Sequence, residues 1–325
     1  MIFRSTSKKP IVIVGNGCRE AGAAEVLHAF YEKTKIPVLT TMNAVDLMQD
    51  EDKLGFIGVY GHRVANMIVS QCDLVISIGA RLGLRQIGNK KEYFAPNAHL
   101  IRADIDQYEL SRNIKEDEEK HLIDAKEFLL KLLDEDIPKY TEWNKACFEA
   151  KVLLDPYDKD LGNLCIEKIS SMLPENPIVA IDIGQAQCWS AQSLTLKGHE
   201  GRILIGGSYG SMGCGLPYAI GATIAEGKKT VYCITGDGGL QMNIQELQTV
   251  VEFDLDHSSS DETRYRGTFS WNDNYLFIVY TIRGDAVRII SARLATKDEI
   301  RHYYKRMGTT ADVRTRLSTE CERYN

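Results

Sequence analysis

Short, almost wholly apolar runs recur along the first 130 residues, each followed by a longer stretch with helical spacing. The runs are PIVIVG (10–15), IPVLTT (36–41), CDLVISIG (72–79) and AHLIRADID (98–106). A strand that reads as continuously apolar is covered on both faces, which is the condition of a parallel sheet flanked by helices. Parallel neighbours need a crossover, and the amphipathic stretches AAEVLHAFYEK (23–33) and DAKEFLLKLLD (124–134) supply it. Residues 1–135 are therefore expected to form one doubly wound α/β domain.

From residue 136 to residue 157 the text turns polar and aromatic, which predicts a surface linker. The βαβ rhythm resumes over 158–253 with helix LCIEKISSML, strands PIVAIDIG, RILIGG and TVYCITG, and helices GLPYAIGATIAE and NIQELQTVVEF. After Phe253 the rhythm stops. DLDHSSSDETRYRG is polar, and TFSWNDNYLFIVYTIRGDAVRIISAR reads as two antiparallel strands turning at Arg283-Gly284-Asp285, closed by helix KDEIRHYYKRM. The predicted fold is α/β: two doubly wound parallel-sheet units, the second truncated, then an antiparallel β-hairpin plus helix tail over 254–325.

Composition adds limits. An apolar fraction of 44% suffices for a core in each unit. No stretch reaches the roughly 18 to 20 apolar residues of a membrane span, and the N-terminus lacks a secretory apolar run, so a cytoplasmic protein without membrane contact is expected. The eight cysteines form no CxxC pair and several sit inside apolar runs, where thiols pack as small hydrophobes. Residues 263–325 carry 12 Lys+Arg against 7 Asp+Glu, a net of +5, which leaves −11 for the rest of a chain whose total is −6. Such a tail suits either nucleic acid or a solvated surface.

The most informative motif is Gly236-Asp237-Gly238-Gly239, directly after an apolar strand and before a helix. Glycines there let the backbone approach a diphosphate, and the helix presents free N–H groups to it. Asp237 would hold Mg²⁺, a hard cation that bridges protein oxygens to phosphates. A plain strand-to-helix turn carries the same residues, so the reading rests on two more loops. Asp182-Ile183-Gly184-Gln185 and the glycine-rich 206–217 segment follow the two preceding strands, at the strand ends where open α/β sheets bind ligands.

Taken together, DIGQ, GSMGCGLPYAIGA and GDGGLQMNIQEL resemble, in order and spacing, the diphosphate-binding domain of acetolactate synthases and related thiamine-diphosphate decarboxylases. The resemblance implies thiamine diphosphate and Mg²⁺ as cofactors and a 2-oxo acid such as pyruvate as substrate. It makes Asp237 the metal ligand and puts Gly236, Gly238, Gly239 and Asn243 at the diphosphate. Met212 becomes the apolar prop beneath the bent coenzyme, Gly210 the carbonyl acceptor for the aminopyrimidine, and Ser211 their neighbour. Gln185 and Gln187 fall on the substrate side, although a plain surface role suits them equally. VIVGNG, GFIGVYGHRVAN, CDLVISIGARLGLRQIG and IRADIDQYEL resemble the same family's central domain. FAD is not expected there, because the third glycine after Gly15-Asn16-Gly17 falls only at Gly22. His62 and Arg63 in YGHRVAN are read as surface positions on the following helix, with a ligand-facing place as the alternative.

The family begins with a further α/β domain, whose glutamate activates the aminopyrimidine, and no stretch of this sequence matches it. A separately encoded chain supplying that domain, inactivity without it, and a homo-oligomer are what the resemblance implies. The family's second metal ligand, an asparagine after the GDG helix, is not matched either: Asn272 and Asn274 follow no suitable apolar strand. The tail has its own likeness. FDLDHSSSDETRYR and LFIVYTIRGDAVRIISARLATKDEIRHYY, within 254–306, resemble the C-terminal half of BrnT-type ribonuclease toxins. That likeness makes Arg288, Arg293 and His302 candidates for RNA contact and an antitoxin a candidate partner. Two partial proteins joined near Phe253 suggest a frameshifted, rearranged or spliced reading frame.

Overall fold

The computed structural model describes residues 6–48, 50–198, 200–207, 209–252, 264–271, 274–283, 286–307 and 322–323. The strands are β1 (Pro10–Val14), β2 (Val38–Thr40), β3 (Leu74–Ile78), β4 (His99–Asp104), β5 (Glu119–Leu122), β6 (Ile178–Ile181), β7 (Arg202–Ile205), β8 (Val231–Ile234), β9 (Arg264–Trp271), β10 (Asn274–Arg283), β11 (Ala286–Leu294) and β12 (Glu322–Arg323). The helices are α1 (Asn16–Glu20), α2 (Ala24–Thr34), α3 (Arg63–Gln71), α4 (Leu84–Ile87), α5 (Gln107–Ser111), α6 (Ala125–Asp134), α7 (Thr141–Leu154), α8 (Leu161–Met172), α9 (Gln185–Ser193), α10 (Gly215–Ala225), α11 (Asp237–Met242), α12 (Leu247–Glu252) and α13 (Lys297–Met307). They build a five-stranded parallel sheet, β2-β1-β3-β4-β5, a three-stranded parallel sheet, β7-β6-β8, and a four-stranded antiparallel sheet, β11-β10-β9-β12. This is the expected α/β class. Among the described residues no helix is long and apolar enough to cross a membrane.

The described residues divide into two compact units, Met1–Ile178 with Gln187–Tyr209, and Val179–Ala186 with Gly210–Asn325. In the first, alternation along β1 sends Val12 and Val14 into one layer with Leu27, Phe30 and Phe128, and Ile11 and Ile13 into the other with Val64, Ile68 and Cys147. Each layer is the apolar stripe of helices on one face of the sheet, as continuous apolar strands require.

Three features of this unit differ from the sequence reading. The stretch read as a linker folds as α7, which buries Cys147 and packs Trp143, Phe148 and Leu154 against the second layer. The edge strand β5, sequence EKHL, gave no apolar signal because it is half exposed. Its approach is fixed instead by Arg102, only 1% exposed, whose guanidinium donates to the Arg112 and Glu109 carbonyls at 2.8 Å and to Glu118 at 3.2 Å. His62, read as a surface position, is buried where α3 begins, while Arg63 stays exposed and pairs with Asp158 at 3.0 Å. A nearby backbone donor and a nearby carbonyl satisfy both nitrogens of the buried ring.

The tail shows more than the expected hairpin. β10 and β11 pair as predicted, with Arg283 opposite Ala286, but TFSW belongs to a separate strand, β9, that pairs with β10 on its other side. Gly284 and Asp285 of the predicted turn lie outside the described residues, and the closing helix is α13.

Candidate functional site

The second unit gathers its loops on one carboxylate. Strand β6 delivers Asp182 directly after four buried residues, and Asp182 is itself fully buried. Its Oδ1 accepts the N–H of Ile183 at 2.7 Å and that of Gly213 at 2.9 Å. Its Oδ2 accepts the Thr235 hydroxyl at 2.8 Å. Thr235 follows β8 and precedes Gly236, the N-cap of α11. One side chain thus holds the ends of β6 and β8 and the glycine-rich loop together. Buried charge is tolerated where donors surround it, and here they are amides and a hydroxyl.

Close packing explains the glycines. Gly213 sits at φ +81°, in the left-handed region that side chains disfavour, and its carbonyl accepts the Asn243 amide at 2.7 Å. A Cβ at Gly239 would overlap the Asp182 carboxylate, and one at Gly238 would lie 3.7 Å from the Met212 methyl. Gly239, against Asp182, and Gly213, against Met242 and Asn243, are the two positions where the start of α11 and the 210–213 loop leave no room for a side chain, whereas Gly236 has open space beside it. The first backbone N–H groups of α11 lack partners within the helix and are suited to an anion.

The expected residues fall as follows. Asp237 is the first residue of α11 and is exposed. Gly210 lies at φ +68°, and Ser211 and Met212 are exposed beside it. Gln185 opens α9 and is exposed, whereas Gln187 is buried and donates its amide to the Gly206 carbonyl at 3.2 Å. Arg288 and Arg293 lie on β11, opposite Thr281 and Phe277 of β10 across a bulge at Val279/Tyr280, and His302 is exposed on α13. Among the described residues no group of three or more His, Cys, Asp or Glu could hold a metal.

Sequence reasoning named the DIGQ loop but gave Asp182 no task. The signal was an acidic residue placed without interruption after the fully apolar IVAI strand. Two thiols share its surroundings. Burial, then Asp182, pushes the Cys214 thiol up; burial, then Asp182 and Cys214, pushes Cys233 to about 12.

The chain matches known families in three segments. Residues 5–132 match the central domain of thiamine pyrophosphate enzymes, and residues 182–258 match the C-terminal TPP binding domain. Residues 242–299 match the BrnT ribonuclease toxin of type II toxin-antitoxin systems. Over 77% of its length the chain is 35% identical to a probable acetolactate synthase large subunit of Methanocaldococcus jannaschii, covering 44% of that protein. It is 34% identical to the large subunit of Escherichia coli acetolactate synthase isozyme 2, over 75% of the chain and 45% of that protein. The chain thus spans less than half the length of these curated relatives. It belongs to the thiamine pyrophosphate enzyme family, carrying its central and C-terminal TPP-binding domains in a form similar to acetolactate synthase large subunits and joined to a BrnT-like segment.

Proposed function

We propose that residues 179–252 bind thiamine diphosphate with Mg²⁺ for chemistry on a 2-oxo acid such as pyruvate. The observation that carries this reading is the Asp182 tie, which brings the GDGG turn and the 210–213 loop into one cradle where a Cβ at Gly213 or Gly239 would collide. Asp237 holds the cation, Gly236, Gly238 and Gly239 face the diphosphate through their backbone, and Asn243 steadies the Gly213 carbonyl. Met212 supports the coenzyme ring system, with Gly210 and Ser211 beside it, and Gln185 and Gln187 line the approach to the substrate. When bound, the coenzyme supplies the electron sink for cleaving the bond next to a 2-oxo group, and the protein positions it.

Turnover further needs a pyrimidine-binding domain that activates the coenzyme, provided by another chain or by a longer form of this one. Self-association and a cytoplasmic setting complete the proposal; the seven described cysteines are all free, which suits a reducing compartment. Calorimetric titration with thiamine diphosphate and Mg²⁺ tests it. Heat in the wild-type protein that disappears in Asp237→Ala is the expected result, and no heat in either overturns the cofactor reading.

A second reading attaches to residues 242–299, because they match the BrnT toxin model and carry an antiparallel sheet followed by α13. In it Arg288, Arg293 and His302 contact RNA or an antitoxin occupies this module. Incubating labelled RNA with the whole chain and with Arg288→Ala separates the two, since cleavage lost in the variant supports the toxin reading and an intact substrate removes it.

A further inference from the structure

Helix α9 ends at Ser193, so the Gln192 carbonyl belongs to a last turn that has no N–H of its own to accept. His62 supplies one, with Nε2 3.0 Å from that oxygen. The other ring nitrogen, Nδ1, lies 3.2 Å from the backbone N–H of Phe56. A backbone N–H can only donate, so Nδ1 carries the lone pair and Nε2 the proton. The arrangement is closed by the His62 N–H, which donates to the Phe56 carbonyl at 3.0 Å, and by the Phe56 ring, edge-on to the imidazole at 5.3 Å. His62 is only 8% exposed, so water cannot replace a lost partner easily.

We propose that His62 is a proton-sensitive positioning residue for the C-terminal turn of α9: as neutral Nε2–H imidazole it caps the helix, and a proton on Nδ1 releases it. Protonation sets two donors, Nδ1–H and the Phe56 N–H, against each other, and the ring must leave its place to relieve them. The inference stands independently of the cofactor reading. It also has a consequence for that reading, because Gln185 and Gln187 sit in the first turn of the same helix.

The charged surroundings are mixed. Lys53, from the segment before β-bridge residue Phe56, disfavours the imidazolium, while Asp155 and Asp158, from the turn after α7, favour it. Arg63, next in the chain, is engaged by Asp158, and α9 itself, QAQCWSAQS, carries no charge. Burial outweighs these groups and holds the ring below its ordinary value of 6.5. Side-chain ties from Asn163 to Gln192 and from Gln192 to the Tyr60 carbonyl do not involve the imidazole, so the proposed release is confined to the last turn.

Hydrogen exchange of the whole chain between pH 5 and pH 7.5, corrected for intrinsic rates, tests the proposal on the amides of 192–194. Wild type should exchange about tenfold faster at the acid end, the equivalent of one lost hydrogen bond. His62→Gln keeps a donor for Gln192 and cannot be protonated, so its profile should be flat. Equal protection of wild type at both ends, or the same acid loss in His62→Gln, overturns the proposal. Should that variant not fold, nitrogen chemical shifts of the wild-type ring decide: the Nδ1–H form at neutral pH excludes the cap.

Discussion

The carboxylate of Asp182 receives the Gly213 N–H through both of its oxygens, at 2.9 and 3.2 Å, from 31 residues along the chain. Its donors are the Ile183 and Gly213 amides, the Thr235 hydroxyl and, at 3.7 Å, the Cys214 thiol, so the second unit's loops depend on one acceptor. Asp182→Ala leaves those buried donors without an acceptor and should cost about 3 kcal/mol or more. Asp182→Asn keeps one acceptor and should recover part of it. Urea unfolding followed by far-ultraviolet dichroism measures both, and equal midpoints for wild type and Asp182→Ala contradict the account.

Asp237 offers the opposite case. Its side chain is exposed at the start of α11, so Asp237→Ala should cost less stability than Asp182→Ala while removing Mg²⁺-dependent binding of thiamine diphosphate. A melting curve and a titration on the same preparation separate the two effects.

Backbone geometry predicts a third. At φ +81°, Gly213→Ala pays about 1–2 kcal/mol for the left-handed conformation, and its Cβ would also meet the Asn243 amide nitrogen at 2.7 Å. Gly239→Ala, whose Cβ would strike the Asp182 carboxylate, should be worse. Chemical denaturation should rank wild type above Gly213→Ala and Gly213→Ala above Gly239→Ala.

His62 gives stability a pH dependence with a definite sign. Its folded pKa lies below 6.5 because burial penalises the charged ring, so between that lowered value and 6.5 the unfolded chain binds more protons than the native one. The neutral-ring contribution is complete above 6.5 and is lost as pH falls through that window. Unfolding midpoints measured from pH 7.5 down to pH 5 should therefore fall less steeply in His62→Gln than in wild type.

Thiol chemistry supplies a fifth. Burial pushes Cys18, Cys72, Cys147 and Cys233 to about 12, which leaves almost no thiolate at neutral pH. Iodoacetamide at pH 8 should leave these four unmodified in the native protein and alkylate them in urea, as read by peptide mass spectrometry.

Much of the architecture was legible because β1, β3, β4 and β6 are buried on both faces and therefore spell continuous apolar runs. β5 escaped notice because an edge strand held by Arg102 and Glu118 needs no apolar residues. α7 was hidden by a helix that buries Cys147 alone, and α9 by QAQCWSAQS, which has no apolar stripe because side-chain amides and hydroxyls do its docking. The glycine-rich turn that leads from β8 into α11 was legible from its residues. The part of Asp182 was not, since a sequence does not display which carboxylate is aimed inward. The burial of His62 was misjudged for the same reason: its two partners, Phe56 and Gln192, stand 6 and 130 residues away.

Arg102 has one more implication. Its guanidinium is buried, and its partners Glu109, Arg112 and Glu118 all belong to the stretch that leads into β5. The β5 edge of the sheet is thus moored by a polar anchor rather than by oiliness, and the anchor lies sealed inside. Salt that erodes contacts on the surface has little purchase on it, so this margin of the sheet should survive brine and yield to a single Arg102→Met exchange.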